Sequence, residues 1–569
     1  MIGLIAVTAS GRTGAAQLSS ALPNSRFYRE PAATAIARAF TECDQIVCFL
    51  AAGATVRLIA PLLGSKTVDP GVVCVDEARR FVISLAGSHA GGANKLADAV
   101  AGILGATAVI TTASDAAGVP ALDEVGADLG FVVAGGGDPA GVGTAILSGE
   151  RVTLSMDQTW PVPALPPNVV RTAAPAPGVP AILITDRLTR AAPPSVVYRP
   201  PSLVLGVGAS RGVTATEVGN LMDAALGGAG LSGDSVCGVA TVDLKRDEQG
   251  LVDAARERGW PVTGYPPELL AAVPVPNPSE TVRAAVGTPS VAEAAAILAA
   301  GDGGVLVGTK RKTSRATVAI SRHRPRGRLA LVGLGPGARD LLTPRAIAEL
   351  RRASVVVGLS QYLNQIRDLL RPGTQVLSTE LGAEEERAHG AAQQAREGNA
   401  VALVGSGDAG IYAMASPVLE LLDGSVDVIG VPGVTAALAA AGTLGAPLGH
   451  DHASISLSDL HTPWDVIERR INAAAEADMV VCFYNPRSRA RGGHLTKALA
   501  ILGAHRQPGT PVGMVTDASR PGQRVTLRTL ADVDPTEADM RSLVIVGSSA
   551  TRVVGGRMVT PRGYRWRVL

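Results

Sequence analysis

In GSGDAGIY (405–412), Gly405, Gly407 and Gly410 would let the backbone approach a flat ligand, and Asp408 offers a carboxylate to a ligand hydroxyl or ammonium group, or to a turn. In SLSDLHTPW (456–464), Asp459 is a candidate proton acceptor or orienting group; His461 is a candidate assistant, with a packing or surface position as its alternative. Arg487, Arg489, Arg491, Arg520 and Arg524 follow strand signals and suit bidentate recognition of carboxylates, solvation at the surface being the alternative for each. Near the N-terminus, SHAGGAN (88–94) sets His89 as a candidate base for a water, Gly91 and Gly92 as amide donors to an oxyanion, and Asn94 as an orienting group. A turn role is the alternative for His89.

VGLGPGARDLLT (332–343) places Gly333, Gly335 and Ala338 at dinucleotide-fingerprint spacing. That fingerprint needs a helix opening directly from the loop and an acid about 20 residues on. Here the helix signal comes later, with Thr343 as N-cap and Pro344 at the first helical position, and the next strand, ASVVVG, ends without an acid. Pro336 also removes a backbone donor where phosphate would need one. A nicotinamide site is not expected.

These residues need rigid supports, and short β-branched runs alternating with alanine-rich stretches supply them. The expected fold is α/β and multidomain. Residues 1–134 form a first α/β domain, 135–200 a small middle module with eleven prolines between Pro161 and Pro201, and 201–320 a second α/β domain. A basic linker, 321–328, read as a solvated charge run, leads to two further α/β lobes at 329–445 and 446–569. A net charge of +2 and 3% aromatic residues argue against a nucleic-acid partner. The five cysteines include no CxxC pair, so no cysteine-ligated metal is expected. MIGLIAVTASGRTG reads as a strand and turn, and prolines interrupt the uncharged run 428–449, so neither export nor a membrane span is expected and the location is cytoplasmic.

VGLGPG with LLT, GSGDAGIYAMA, VPGVTAA, SLSDLHTPW, FYNPRS and VGSSAT resemble, in order, the tetrapyrrole methylase family, and within it the precorrin-3B C(17)-methyltransferase branch with its cobalt-containing counterpart. The resemblance covers about residue 328 to the C-terminus. It implies S-adenosylmethionine between the lobes, against Gly407, Asp408, Gly410 and Ile411, Thr435 and Ala436, and Tyr484 and Asn485, with Pro336 and Gly337 lining the cleft. It implies methylation at carbon 17 with ring contraction of precorrin-3B or cobalt-factor III, and a homodimer through the methylase lobes. The macrocycle's acetate and propionate arms would meet Arg487, Arg489, Arg520 and Arg524. Methylating a ring carbon leaves charge to redistribute, which makes Asp459 the carboxylate to test.

Residues 50–77, 81–98 and 108–115 resemble the N-terminal region of cobalt-precorrin-5A hydrolase, and 206–218, 240–251 and 287–296 its C-terminal domain. That implies opening of a ring lactone by water and release of a two-carbon fragment as acetaldehyde. Ala209 stands where that family carries a cysteine, so a thiol role there is excluded, and Ser88 is inserted before His89. An N-terminal half that binds tetrapyrrole without catalysis is the alternative.

Overall fold

The N-terminal strands build a six-stranded sheet in the order Ser25–Tyr28, Ile2–Ala6, Gln45–Phe49, Gly71–Val75, Phe81–Ala86, Thr107–Val109. This computed structural model describes every residue except 66–67, 89–90, 190–191, 489–491 and 565–569, so His89, Arg489 and Arg491 lie outside the described residues. The first four strands in that order are parallel, as crossover helices require. Phe81–Ala86 departs from the expected pattern and runs antiparallel to Gly71–Val75. The tight turn between them, where Asp76 Oδ1 accepts the Arg80 and Phe81 amides at 2.7 Å each, leaves no room for a crossover.

The proline-rich stretch contributes to a second sheet, ordered Val132–Val133, Ser195–Arg199, Ala181–Ile184, Val152–Met156, Val169–Arg171. Its core takes in Val119, Leu122 and Val125, ahead of the expected boundary at 134. The third sheet is ordered Val262–Tyr265, Val236–Val242, Leu203–Ala209, Ala316–Arg322, Val305–Leu306, with Arg311–Lys312 closing a hairpin on Ala316–Arg322.

The basic segment 321–328 is solvated only in part: Arg324 and Arg326 are exposed, while Arg322 and Arg328 turn into tertiary structure. Ser321 and Arg322 end a strand, and Arg322 makes a bidentate pair with Asp186 at 2.6 and 2.7 Å, while Ser202 Oγ donates to the same carboxylate at 2.7 Å. Arg328 opens the next strand and pairs with Glu349, its Nη2 2.8 Å from Oε1. Buried guanidinium groups persist only when paired, and here each has a carboxylate waiting in tertiary structure. Local composition does not reveal such partners.

Two compact units result, Met1–Pro325 with Arg371–Gly373, and Arg326–Leu370 with Thr374–Leu569. Among the described residues the second unit holds two five-stranded sheets and a small three-stranded one, in the order Gly445–Ala446, Arg557–Val559, Arg552–Val554. One five-stranded sheet is wholly parallel, in the order Gln375–Thr379, Val355–Leu359, Ala400–Gly405, Arg328–Gly333, Asp427–Val431. The other is mixed, in the order His452–Ser456, Val480–Tyr484, Ser542–Val546, Pro511–Thr516, Arg524–Thr529. Helix Ala436–Leu444, expected with the first lobe, packs instead on the second sheet: Ala437, Ala440 and Leu444 share a core with Val480, Cys482 and Val515. The run 428–449 is thus a strand, a loop, this helix and the two-residue strand Gly445–Ala446, and no single helix among the described residues is long and apolar enough to cross a membrane.

Cys482 is fully buried in that core, and burial pushes its thiol up to about 12. Because the folded chain resists ionisation that the unfolded chain accepts, the stability this thiol contributes is intact below the ordinary thiol range. It declines as pH rises from there toward 12, by at most about 1.4 kcal/mol per pH unit. Melting curves of Cys482→Ala are expected to lose part of the alkaline decline seen in the wild type.

Candidate active site of the second unit

In the parallel sheet, the connection after Arg328–Gly333 runs toward Val355–Leu359, and the connection after Ala400–Gly405 runs the other way to Asp427–Val431. The crevice between two such strands is where open α/β sheets bind ligands. The loops leaving it are GLGPG and GSGDAG. They lock together: Gly335 and Gly407 exchange backbone hydrogen bonds at 3.0 and 2.7 Å, with Gly335 at a φ of 73° and Gly407 at 69°. A Cβ on Gly433, in the third loop at this edge, would lie 2.1 Å from Gly407 O and 2.7 Å from Gly333 C. Only a single 3₁₀ turn, Arg339–Leu341, follows the first loop; the next α-helix begins at Pro344, with Thr343 Oγ1 accepting the Ala346 amide at 3.2 Å, as the spacing predicts.

Asp408 fixes the second loop. One carboxylate oxygen accepts the Gly410 amide at 2.8 Å and the other the Gly433 amide at 3.0 Å, so it ties two of the three loops. A Cβ on Gly407 would lie 3.5 Å from Thr435 Cα and 3.7 Å from Ala436 N. Thr435 Oγ1 lies 2.7 Å from the Tyr484 hydroxyl, which also accepts the Ala437 amide at 3.2 Å. Burial raises the Tyr484 phenol above its ordinary range, and these hydrogen bonds pull the other way. Asn485, held at a φ of 51°, donates to Ser456 Oγ at 3.1 Å. Thr435, Tyr484, Asn485 and Ser456 are thus joined through side chains into one line between the two five-stranded sheets.

Two residues that the sequence did not single out complete this line. Tyr412, at a φ of 52°, donates to Ser454 O at 2.7 Å, and its ring centroid lies 5.1 Å from that of Tyr484. It was quoted within GSGDAGIY, but its reach across the lobes has no sequence signal. The exposed Ile411 precedes it. Ser456 also accepts the Ser458 amide at 3.3 Å, placing the SLSDL loop beside Asn485.

Arg520 turns inward. Its Nε donates to Pro336 O at 2.6 Å and its Nη2 to Ser406 Oγ at 3.1 Å, and a Cβ on Gly337 would strike its side chain. Arg487 donates to Thr536 O at 2.8 Å, and Arg524 is exposed, 4.0 Å from Asp539. Asp459 is partly exposed and faces His494, Nε2 to Oδ2 at 3.5 Å, whereas His461 is exposed. Among the described residues no His, Cys, Asp and Glu cluster could hold a metal.

In the first unit, Asn94 is buried in the first turn of helix Ala93–Leu104 and donates to Thr112 Oγ1 at 3.2 Å and Asp115 Oδ2 at 2.9 Å, while its own Oδ1 has no partner among the described residues. Gly91 and Gly92 precede this helix, and the Gln45 side-chain amide donates to their carbonyls at 3.3 and 3.2 Å.

Residues 328–534 match the family of tetrapyrrole (corrin/porphyrin) methylases. Residues 34–115 match the cobalamin synthesis G N-terminal family, 120–200 the cobalamin biosynthesis central region, and 203–321 the cobalamin synthesis G C-terminus. A probable cobalt-factor III C(17)-methyltransferase of Salmonella typhimurium is 50% identical over 239 residues, covering 42% of this chain and 99% of that protein. A precorrin-3B C(17)-methyltransferase of a Sinorhizobium species is 40% identical over 234 residues, covering 40% of this chain and 91% of its own. Among solved structures, that of the methyltransferase CobJ is 40% identical, covering 41% of this chain and all of that one, with a TM-score of 0.40.

Proposed function

This chain belongs to the tetrapyrrole methylase family through residues 328–534, and on that premise we propose that it methylates carbon 17 of precorrin-3B or cobalt-factor III, with ring contraction, in cobalamin biosynthesis. The observation that carries this reading is the meeting of the Gly407, Thr435, Tyr484 and Asn485 loops in one line across the two lobes. The bound S-adenosylmethionine supplies an electrophilic methyl group. The chain's own residues do the rest: the glycine loops admit a flat ligand, Asp408 holds their spacing, and Thr435 with Tyr484 fixes the entrance to helix Ala436–Leu444. Positioning dominates such a displacement. Ile411, Ala436, Pro336 and Gly337 line the donor side, where Arg520 braces Pro336 and Ser406; Arg487, Arg489 and Arg524 meet the carboxylate arms, and Asp459 takes up the proton released as charge redistributes. His461 assists at the mouth.

Tyr484→Phe removes a hydroxyl shared by Thr435 and the Ala437 amide. Leaving such groups unpaired costs about 1–3 kcal/mol, and titration calorimetry is expected to show S-adenosylmethionine binding weakened about tenfold or more.

Residues 1–320 open the lactone of cobalt-precorrin-5A, releasing acetaldehyde, with His89 as base and Asn94 as orienting group. The unpartnered Oδ1 of Asn94 supports this, since a buried acceptor invites a donor. Ala209 at the end of strand Leu203–Ala209 favours the second reading, a half that binds tetrapyrrole without catalysis. Incubating the whole chain with S-adenosylmethionine and each methylation substrate, then with cobalt-precorrin-5A, separates these claims by product mass and by acetaldehyde assay. Absence of added methyl mass on both substrates refutes the first activity, and absence of acetaldehyde the second.

A further inference from the structure

Asp459 sits on the loop that follows strand His452–Ser456, and its side chain is 39% exposed. Facing it is His494, the first residue of helix His494–His505, whose side chain is only 14% exposed. The imidazole is held on several sides. Its Nδ1 lies 3.0 Å from Leu457 O, and because a carbonyl only accepts, Nδ1 carries a proton there. Its ring stacks on Trp464, centroids 4.6 Å apart at 28°, and Lys497 Nζ lies 5.4 Å from the Trp464 ring centroid. Leu457 itself is fully buried, and its amide donates to Tyr484 O at 2.9 Å. The remaining nitrogen, Nε2, points at Asp459 Oδ2 at 3.5 Å, a contact distance rather than a short hydrogen bond.

A half-exposed polar contact of this kind contributes little to stability, about 0–1 kcal/mol, so this clamp is more than stability needs. What it does is aim one ring nitrogen at one carboxylate beside the cleft. We propose that His494 is a positioning residue for methyl transfer, which holds the Asp459 carboxylate in its orientation toward the macrocycle. The proposal rests on the methyltransferase reading above. His494 acts through Asp459 and does not itself touch substrate.

The test uses the whole chain with S-adenosylmethionine and the methylation substrate that it turns over. His494→Asn keeps a donor for Leu457 O but withdraws the group facing Asp459; His494→Gln can restore a donor toward Asp459. The asparagine variant is expected to lower kcat about tenfold, the worth of one oriented polar contact, with KM for both substrates within about twofold. The glutamine variant recovers part of the loss, and Asp459→Asn combined with His494→Asn is no slower than Asp459→Asn alone. Unchanged S-adenosylmethionine affinity and circular dichroism show that the variants are folded. A wild-type kcat in the asparagine variant, a rise confined to KM, or additive losses in the double variant overturns the proposal while leaving the methyltransferase reading intact. A wild-type chain that methylates neither substrate overturns both.

Discussion

Asp459→Asn is expected to lower kcat for methyl transfer by about 100- to 10,000-fold, the range associated with removing a positioned proton acceptor. The substitution keeps the side chain's size and removes its charge. Asp459 lies in the SLSDL loop, which is tied to the cleft through Ser456, where Asn485 and the Ser458 amide both bond to one hydroxyl. The residues proposed for the donor side belong to other loops, so S-adenosylmethionine affinity measured by calorimetry is expected to stay within about twofold while single-turnover methylation slows. Loss of affinity without loss of the chemical rate would assign Asp459 to binding.

Gly433→Ala is expected to have a comparably large effect by a different route. The new Cβ would sit 2.1 Å from Gly407 O and 2.7 Å from Gly333 C, and both neighbours are backbone, which cannot swing aside. Asp408 also anchors the Gly433 amide, so relief requires the three loops to part. Overpacking of this kind costs about 1–3 kcal/mol, and misplacement by about 1 Å can cost a hundredfold in rate. S-adenosylmethionine binding is therefore expected to fall about 100-fold or more. Gly442→Ala is the control: it lies within helix Ala436–Leu444 with open space at its Cβ, where alanine is favoured over glycine by about 0.5–1 kcal/mol. Equal binding by the two variants would contradict the close packing of the Gly335, Gly407 and Gly433 loops.

Much of this organisation was legible in the sequence because its signals are local. β-branched runs mark strands, Thr343-Pro344 caps a helix, and the missing helix after Gly337 excluded a dinucleotide loop. The motif order carried the two-lobed methylase. What escaped depends on partners distant in the chain. Arg322 and Arg328 read as solvated until Asp186 and Glu349 are seen beside them. Helix Ala436–Leu444 has small apolar residues that suit either lobe, and its placement follows from Leu444 filling the space over Gly513. His494 stands in GGHLTK with no flanking pattern, and only the fold brings Leu457, Asp459 and Trp464 around it. Arg520 resembled its neighbours in sequence, yet tertiary structure turns it onto Pro336 and Ser406.

The most direct test of the central claim is the position of the transferred carbon. The whole chain is supplied with S-adenosylmethionine carrying a carbon-13 methyl group and with precorrin-3B or cobalt-factor III, and the product is read by carbon NMR. One enriched methyl group is expected, bonded to carbon 17 of a contracted ring. Enrichment at any other ring carbon, or none on either substrate, would contradict it.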